Sequence, residues 1–269
     1  MEEQQKENNG VEAEHKQHIH TQHQHDKAEI NHKKSHPLVK AAKKLFNFPD
    51  LKSTGVFWLD VALNIVIIVA LVVIIRTFLI SPFQVYGPSM CDTLNNVEGI
   101  CQRAYGEYLI VNKLGYQNFL GWQVGLPKRG DIIVFHPPLN NTEFFIKRII
   151  GLPGETVQLK EGKVYVFNAE KPEGWELKES YLNSVNSGNT HPYNRENTVF
   201  EVPKNSYFVM GDNRVASSDS RSCFQETASN EPCKGDGKSP FLTMDHIEGK
   251  AWLVLWPITK ISALKDPAY

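Results

Sequence analysis

The chain has no excess of either charge: 29 basic and 30 acidic side chains among 269 residues leave a formal net charge of −1. That balance removes any composition-level case for nucleic-acid binding, and no nucleic-acid partner is expected. No internal repeat is found either, which excludes a stacked repeat array. Apolar side chains are almost absent from residues 1–36, where Glu, Gln, Lys, Asn and His predominate. Such a stretch cannot bury enough surface to offset the entropy of ordering, so a disordered, histidine-rich tail is expected. Its His18, His20, His23 and His25 have no cysteine or fixed scaffold beside them and read as a solvated tract; no metal site and no cofactor are expected. Cysteine is scarce, and its four copies, Cys91, Cys101, Cys223 and Cys233, all lie beyond residue 90.

What is present is an apolar content of 41%, enough for one sizeable domain or two small ones. Residues 56–80 read VFWLDVALNIVIIVALVVIIRTFLI, and no polar side chain interrupts 65–75. A bilayer core of ~30 Å takes about 20 helical residues, so a single transmembrane helix is expected over 55–80. Asp60, Asn64 and Arg76 sit towards its two ends, where a charge is far cheaper than at mid-bilayer. The segment starts too far from Met1, and is too long, for the apolar region of a cleaved signal peptide. Lys33, Lys34, Lys40, Lys43, Lys44 and Lys52 precede it with only Asp50 opposing them nearby, so the N-terminus is expected to stay in the cytoplasm. The basic segment 37–54 suits an anionic membrane surface or serves as a plain juxtamembrane linker; both readings stand. All four cysteines then fall on the extracytoplasmic side, where disulfides survive.

Beyond residue 83 the pattern shifts to short β-like runs at 130–136, 143–150, 156–160, 163–167, 198–202, 206–210 and 251–256, with Glu161-Gly162 reading as a hairpin turn. The fold class is therefore mainly β, an antiparallel domain over 83–266 following the single membrane helix. The polar stretch 168–195 has no clear period and reads as an irregular insertion.

Three short segments carry candidate chemistry. Gly87-Pro-Ser-Met90 begins seven residues after Ile80, so at about 3.3 to 3.6 Å per residue Ser89 lies within roughly 30 Å of the bilayer surface. Alone, such a tripeptide is a turn. Lys147 lies in a strand-like run whose alternation puts it on one face with Phe145 and Ile149. Wrapped in apolar groups, its amine would be lowered to about 8, a cost of roughly 3 kcal/mol, and could take a proton from serine; alone, the run reads more readily as a strand with a surface lysine beside Arg148. The third segment, Gly211-Asp-Asn-Arg-Val-Ala-Ser-Ser-Asp-Ser-Arg221, gathers two arginines, two aspartates and three serines, the composition of a buried polar network.

The order of a membrane span, Gly-Pro-Ser-Met, Arg-Gly-Asp, Lys-Arg-Ile-Ile-Gly-Leu-Pro-Gly and Gly-Asp-Asn-Arg-x-x-Ser-x-Asp-Ser-Arg resembles bacterial type I signal peptidase over roughly residues 77–257. The resemblance implies a hydrolase of the bacterial cytoplasmic membrane that removes signal peptides from exported preproteins. Ser89 would be the nucleophile and Lys147 the general base, with Ser217 hydrogen-bonding and orienting the amine. Arg148, Asp212, Asp219 and Arg221 would hold the loops together by ion pairs, while Asn213 and Arg214 complete the turn. The backbone N–H of Ser89 would hold the oxyanion; where some members add a serine hydroxyl, this chain has Gly87. Phe83, Val85, Gly87, Met90 and Ile146 would bind substrate, with Phe83, Val85 and Ile146 lining shallow pockets for small residues at −1 and −3. Expected partners are signal peptides and membrane lipid, and no oligomeric state is assigned.

The chain departs from the family at Cys91-Asp92, where a proline usually precedes Thr-Leu, and at 224–240, a segment between the last motif and the final strands. Cys91 is rejected as nucleophile because the Ser-Met context favours Ser89. An extracytoplasmic location and the two short loops favour pairing Cys91 with Cys101 and Cys223 with Cys233 among three possible connectivities. Two rivals are set aside. LexA-like self-cleaving proteins are similar in their Ser-Lys dyad but lack a membrane span and carry a DNA-binding domain. A catalytically inactive membrane-anchored binding module has no need of both Ser89 and Lys147.

Overall fold

A computed structural model describes residues 54–116, 125–138, 142–194, 197–225, 233, 235 and 237–269. The tail 1–36 and the basic segment as far as residue 53 lie outside the described residues. The chain divides into two units, Met1–Ile65 and Val66–Tyr269. Helix α1, Thr54–Ile74, runs through their boundary and is apolar on all sides. With the turn that follows it spans Gly55–Leu79, 25 residues with none of the apolar stretch buried, which is long and apolar enough to cross a membrane by length and composition.

The α-helix stops short of the expected residue 80. Its continuation Ile75–Leu79 is a π-helical turn, and Ile80 already has extended backbone, with φ −144° and ψ 144°. The cause is Pro82, which pushes Ser81 into extended backbone and offers no N–H to a helix. The Ser81 hydroxyl satisfies the freed Arg76 carbonyl at 3.0 Å.

The chain then forms β1 (Ile80–Tyr86), β2 (Asn96–Val97), β3 (Ile100–Cys101), β4 (Tyr105–Asn112), β5 (Ile132–Phe135), β6 (Phe145–Gly151), β7 (Thr156–Lys160) and β8 (Lys163–Phe167). After these come β9 (Trp175–Glu176), β10 (Val199–Glu201), β11 (Ser206–Met210), β12 (Leu242–Thr243), β13 (Ile247–Trp256) and β14 (Ser262–Ala263). The larger sheet has the order β1-β4-β13-β5-β6-β11-β12 with β14 added on β13, and a smaller one has the order β10-β7-β8-β9. Every pairing is antiparallel, as the alternating sequence pattern implied. Strands β5 and β11 are buried at every position, which is why β5 and the Tyr207–Met210 part of β11 read as unbroken apolar runs. Strands β7 and β8 bury alternate residues, and Glu161 (φ 53°) and Gly162 (φ 76°) join them in a turn with positive φ at both positions.

Three apolar clusters make the core. Ile150, Val157, Val164, Phe200 and Phe208 fill the space against the smaller sheet. Ile133, Phe135, Ile149 and Val209 lie on the other face of β5, β6 and β11. Val85, Met90, Leu94, Leu109 and Val254 hold β1, β4 and β13 to the segment after β1. Strand β4 has no counterpart among the runs expected from the sequence. Its inward positions include the buried carboxylate of Glu107 beside Leu109 and Val111, which breaks the apolar alternation. Lys260 pairs with that carboxylate at 2.7 Å and also binds the Asn96 carbonyl. Burial would raise the Glu107 carboxyl, but Lys260 and the Asn95 amide outweigh it and hold it below the ordinary value.

Candidate active site

Strand β1 ends in a turn that Gly87 enters at φ +81°, a left-handed conformation that favours glycine. Ser89 lies two residues on, and Thr93 and Leu94 donate back to the Met90 carbonyl at 2.9 and 2.7 Å. Asn95 rivets the turn from behind: its side-chain amide reaches the carbonyls of Gly87, Gln102 and Ala104 at 2.9 to 3.1 Å. The structure joins Cys91 to Cys101, tying the Ser89 turn to the 101–105 return, and Cys223 to Cys233. Met90 does not face substrate. Its side chain is 1% exposed, packed in the third apolar cluster, with its sulfur accepting the Asp212 N–H at 3.5 Å. The side chain next to Ser89 turns inward and does not line the cleft, so the expectation of a Met90 side-chain contact with substrate is corrected.

Lys147 stands on β6 with its amine 2.9 Å from Ser89 Oγ and 2.9 Å from the Ile146 carbonyl. It is buried, and its Nζ lies 5.2 Å from the centre of the Phe145 ring. Burial lowers the amine from its ordinary 10.5 to about 8, although the charges of Asp219 and Asp212 oppose the drop. Lys147 is therefore held close to the point where it can exchange a proton with serine.

The 211–221 loop supplies the surroundings. Asp212, fully buried, receives Arg148 Nε and Nη2 at 2.8 and 2.6 Å in a two-pronged pair, and Thr93 Oγ1 at 2.6 Å. Arg148 also donates to the Gly130 carbonyl at 2.8 Å. Arg221 binds Asp219 through Nε and Nη2 at 2.9 and 2.8 Å, and the second Asp219 oxygen takes the Gly211 N–H at 3.0 Å. Burial would raise the Asp219 carboxyl, but Arg221 leads the groups that hold it below the usual range. Asn213 grips the nucleophile turn, its backbone N–H on the Ser89 carbonyl at 3.0 Å and its side chain on the Pro88 carbonyl at 3.1 Å. Arg214 does more than complete the turn: it reaches out of the loop to pair with Glu179 and to donate to Thr190 Oγ1 at 2.6 Å. Ser217 lies beside Gly211 and the Ser89 carbonyl with its hydroxyl buried. It faces Asp219 and helps keep that carboxylate low, and the expected hydrogen bond to the Lys147 amine is not formed.

Ser89 and Lys147 open into a cleft of 1240 Å³ lined by Phe83, Val85, Gly87, Ile146 and Ser217. The sequence reading missed Phe144, which stacks edge-on with Phe83 at 4.8 Å, and Tyr193, whose hydroxyl binds the Ser217 carbonyl at 2.9 Å. Phe144 sat inside an expected strand and could have been found by its proximity to Ile146; nothing local marks Tyr193. Strand β1 is the outermost of its sheet, paired with β4 on one edge only among the described residues.

The sequence model of the family described as signal peptidase, peptidase S26, matches residues 58–256. Signal peptidase I P of Bacillus subtilis subsp. natto is similar to this chain, 34% identical over 213 residues, 75% of this chain and 90% of the relative. Signal peptidase I U of Bacillus subtilis (strain 168) is 39% identical over 161 residues, 60% of this chain and 75% of the relative. A crystal structure of a signal peptidase I from Enterococcus faecalis V583 is 32% identical, covering 46% of this chain and 96% of that one at a TM-score of 0.32.

Proposed function

We propose how the chemistry runs in this chain, which belongs to the signal peptidase family, peptidase S26, and is a serine endopeptidase: Ser89 is the nucleophile and Lys147 the general base. The observation that carries the assignment is the 2.9 Å separation of Lys147 Nζ and Ser89 Oγ in a buried site that lowers the amine to about 8. Neutral Lys147 takes the serine proton as Oγ attacks the scissile carbonyl. The oxyanion is held by the Ser89 N–H, while Asn213 keeps the Ser89 carbonyl turned the other way. Collapse passes the proton from Lys147 to the leaving amine of the mature chain and leaves an acyl ester on Ser89. Lys147 then deprotonates a water that hydrolyses the ester and returns the hydroxyl.

The substrate is a signal peptide lying extended along the free edge of β1, whose backbone offers strand pairing, with small residues at −1 and −3 facing Phe83, Val85 and Ile146. Bulky aromatic and branched walls leave shallow pockets, which favour small side chains. Segment 55–80 anchors the chain in the cytoplasmic membrane as a single pass, with the tail 1–36 and the basic segment 37–54 on the cytoplasmic side and the catalytic domain 83–266 outside. Detergent-solubilised protein should cleave a preprotein bearing an Ala-x-Ala site, with the new N-terminus following the second Ala. Ser89→Ala and Lys147→Ala should each abolish cleavage, and activity persisting in either one would overturn the dyad.

A further inference from the structure

Segment 179–193 holds neither the nucleophile nor the base, yet it touches all three pieces of the site. At the nucleophile turn, one Asp92 oxygen accepts the Asn183 N–H at 2.7 Å and the other accepts the side-chain amides of Asn183 and Asn186, both at 2.8 Å. Asn186, 2% exposed, carries the connection on, because its Oδ1 accepts the Val215 N–H of the 211–221 loop at 3.2 Å. Glu179 pairs with Arg214 on the same loop. Tyr181 lies under the Arg148 guanidinium, 4.0 Å from its ring centre, beside the strand that carries Lys147.

Asp92 therefore bridges the nucleophile turn to the 211–221 loop through two asparagines, and the bridge runs parallel to the Asn213 contact on the Ser89 carbonyl. Among the described residues no cation pairs with Asp92 directly: the donors that hold it are neutral amides. Burial and the nearby Asp212 raise its carboxyl despite those donors, so its placement costs electrostatic energy. A carboxylate kept at such a cost between two loops that meet at the nucleophile is suited to setting distance.

We infer that Asp92 is a positioning residue: with Asn183 and Asn186 it fixes the spacing between the Ser89 turn and the 211–221 loop, and through it the reach from Ser89 Oγ to Lys147 Nζ. The inference rests on the dyad reading above. An error of about 1 Å in such a reach lowers a rate by as much as about a hundredfold.

The test uses the full-length, detergent-solubilised protein and an Ala-x-Ala preprotein, with rates normalised to the folded fraction read by near-ultraviolet circular dichroism. Asp92→Asn puts an NH2 where only donors face it, the Asn183 N–H on one side and the Asn183 and Asn186 amides on the other, and Asn186→Asp sets two carboxylates face to face. Each should lower kcat roughly tenfold or more with KM little changed. The double exchange D92N/N186D restores donor to acceptor between positions 92 and 186, leaves the Asn183 amide opposed, and should recover part of the lost kcat. The milder Asn186→Ala, which removes one bond, should lower kcat severalfold. Wild-type kcat in the folded singles, a loss confined to KM, or no recovery in the double variant would overturn the positioning role. Cleavage that survives Ser89→Ala in the same assay would overturn the dyad reading instead.

Discussion

Replacing Lys147 with methionine should make this protein inactive and, below about pH 8, more stable than it was. Holding the amine at about 8 rather than 10.5 disfavours its charged form by roughly 3 kcal/mol. The sign follows from proton counting: between about pH 8 and 10.5 the unfolded chain binds a proton here that the folded chain does not, so wild-type stability rises with pH across that window. Below about pH 8 both states are protonated and the whole penalty is present. Methionine fills nearly the same volume without an amine to desolvate. It forfeits the contacts to Ser89 Oγ and the Ile146 carbonyl, worth about 1–2 kcal/mol in total and independent of pH in this range. The gain in Tm over wild type should therefore be a few degrees near pH 7, at about 2–4 °C per kcal/mol, and should vanish or reverse by pH 10. Thermal unfolding of both proteins in one detergent across this range measures it. The same amine predicts that wild-type kcat/KM falls as pH drops through about 8. A Tm difference that stays flat with pH would refute the lowered amine and the argument built on it.

A methyl group at Gly211 would collide with Ser217 Oγ and the Ser89 carbonyl oxygen, so Gly211→Ala should cost about 1–3 kcal/mol of stability and lower kcat by up to about a hundredfold. A normal kcat in folded Gly211→Ala would contradict the tight seat of the nucleophile turn. Each disulfide closes a loop between cysteines ten residues apart and should contribute about 3 kcal/mol, with loss of Cys91–Cys101 also depressing cleavage because it sits beside Ser89. Mass spectrometry of the unreduced protein should find no free thiol, and four free thiols would refute both bridges.

Some of this protein was legible along the chain because the signals are local. An apolar run of bilayer length, a β7–β8 hairpin with alternating burial and a Glu-Gly turn, and an apolar strand such as Ile132–Phe135 each follow from a few neighbouring residues. The candidate nucleophile and base were legible as motifs in order, although each segment alone read as a turn or a surface strand. Strand β4 escaped notice because Glu107 points inward, and a buried carboxylate is recognisable only once Lys260, distant in sequence, closes over it. The helical span ends at Leu79, one residue before the expected end, where Pro82 turns the backbone into a strand.

Residue type and order thus carried the apolar helix, the antiparallel class and the choice of Ser89 and Lys147 as candidates, since hydrophobic period and motif are properties of short stretches. Packing alone settled which way Met90 turns, that Ser217 meets Asp219 and Gly211 without bonding Lys147, and that Arg214 leaves its own loop for Glu179. The Met90 and Arg214 outcomes depend on contacts between segments tens to more than a hundred residues apart, where burial decides which polar groups must find each other and no local pattern records the choice.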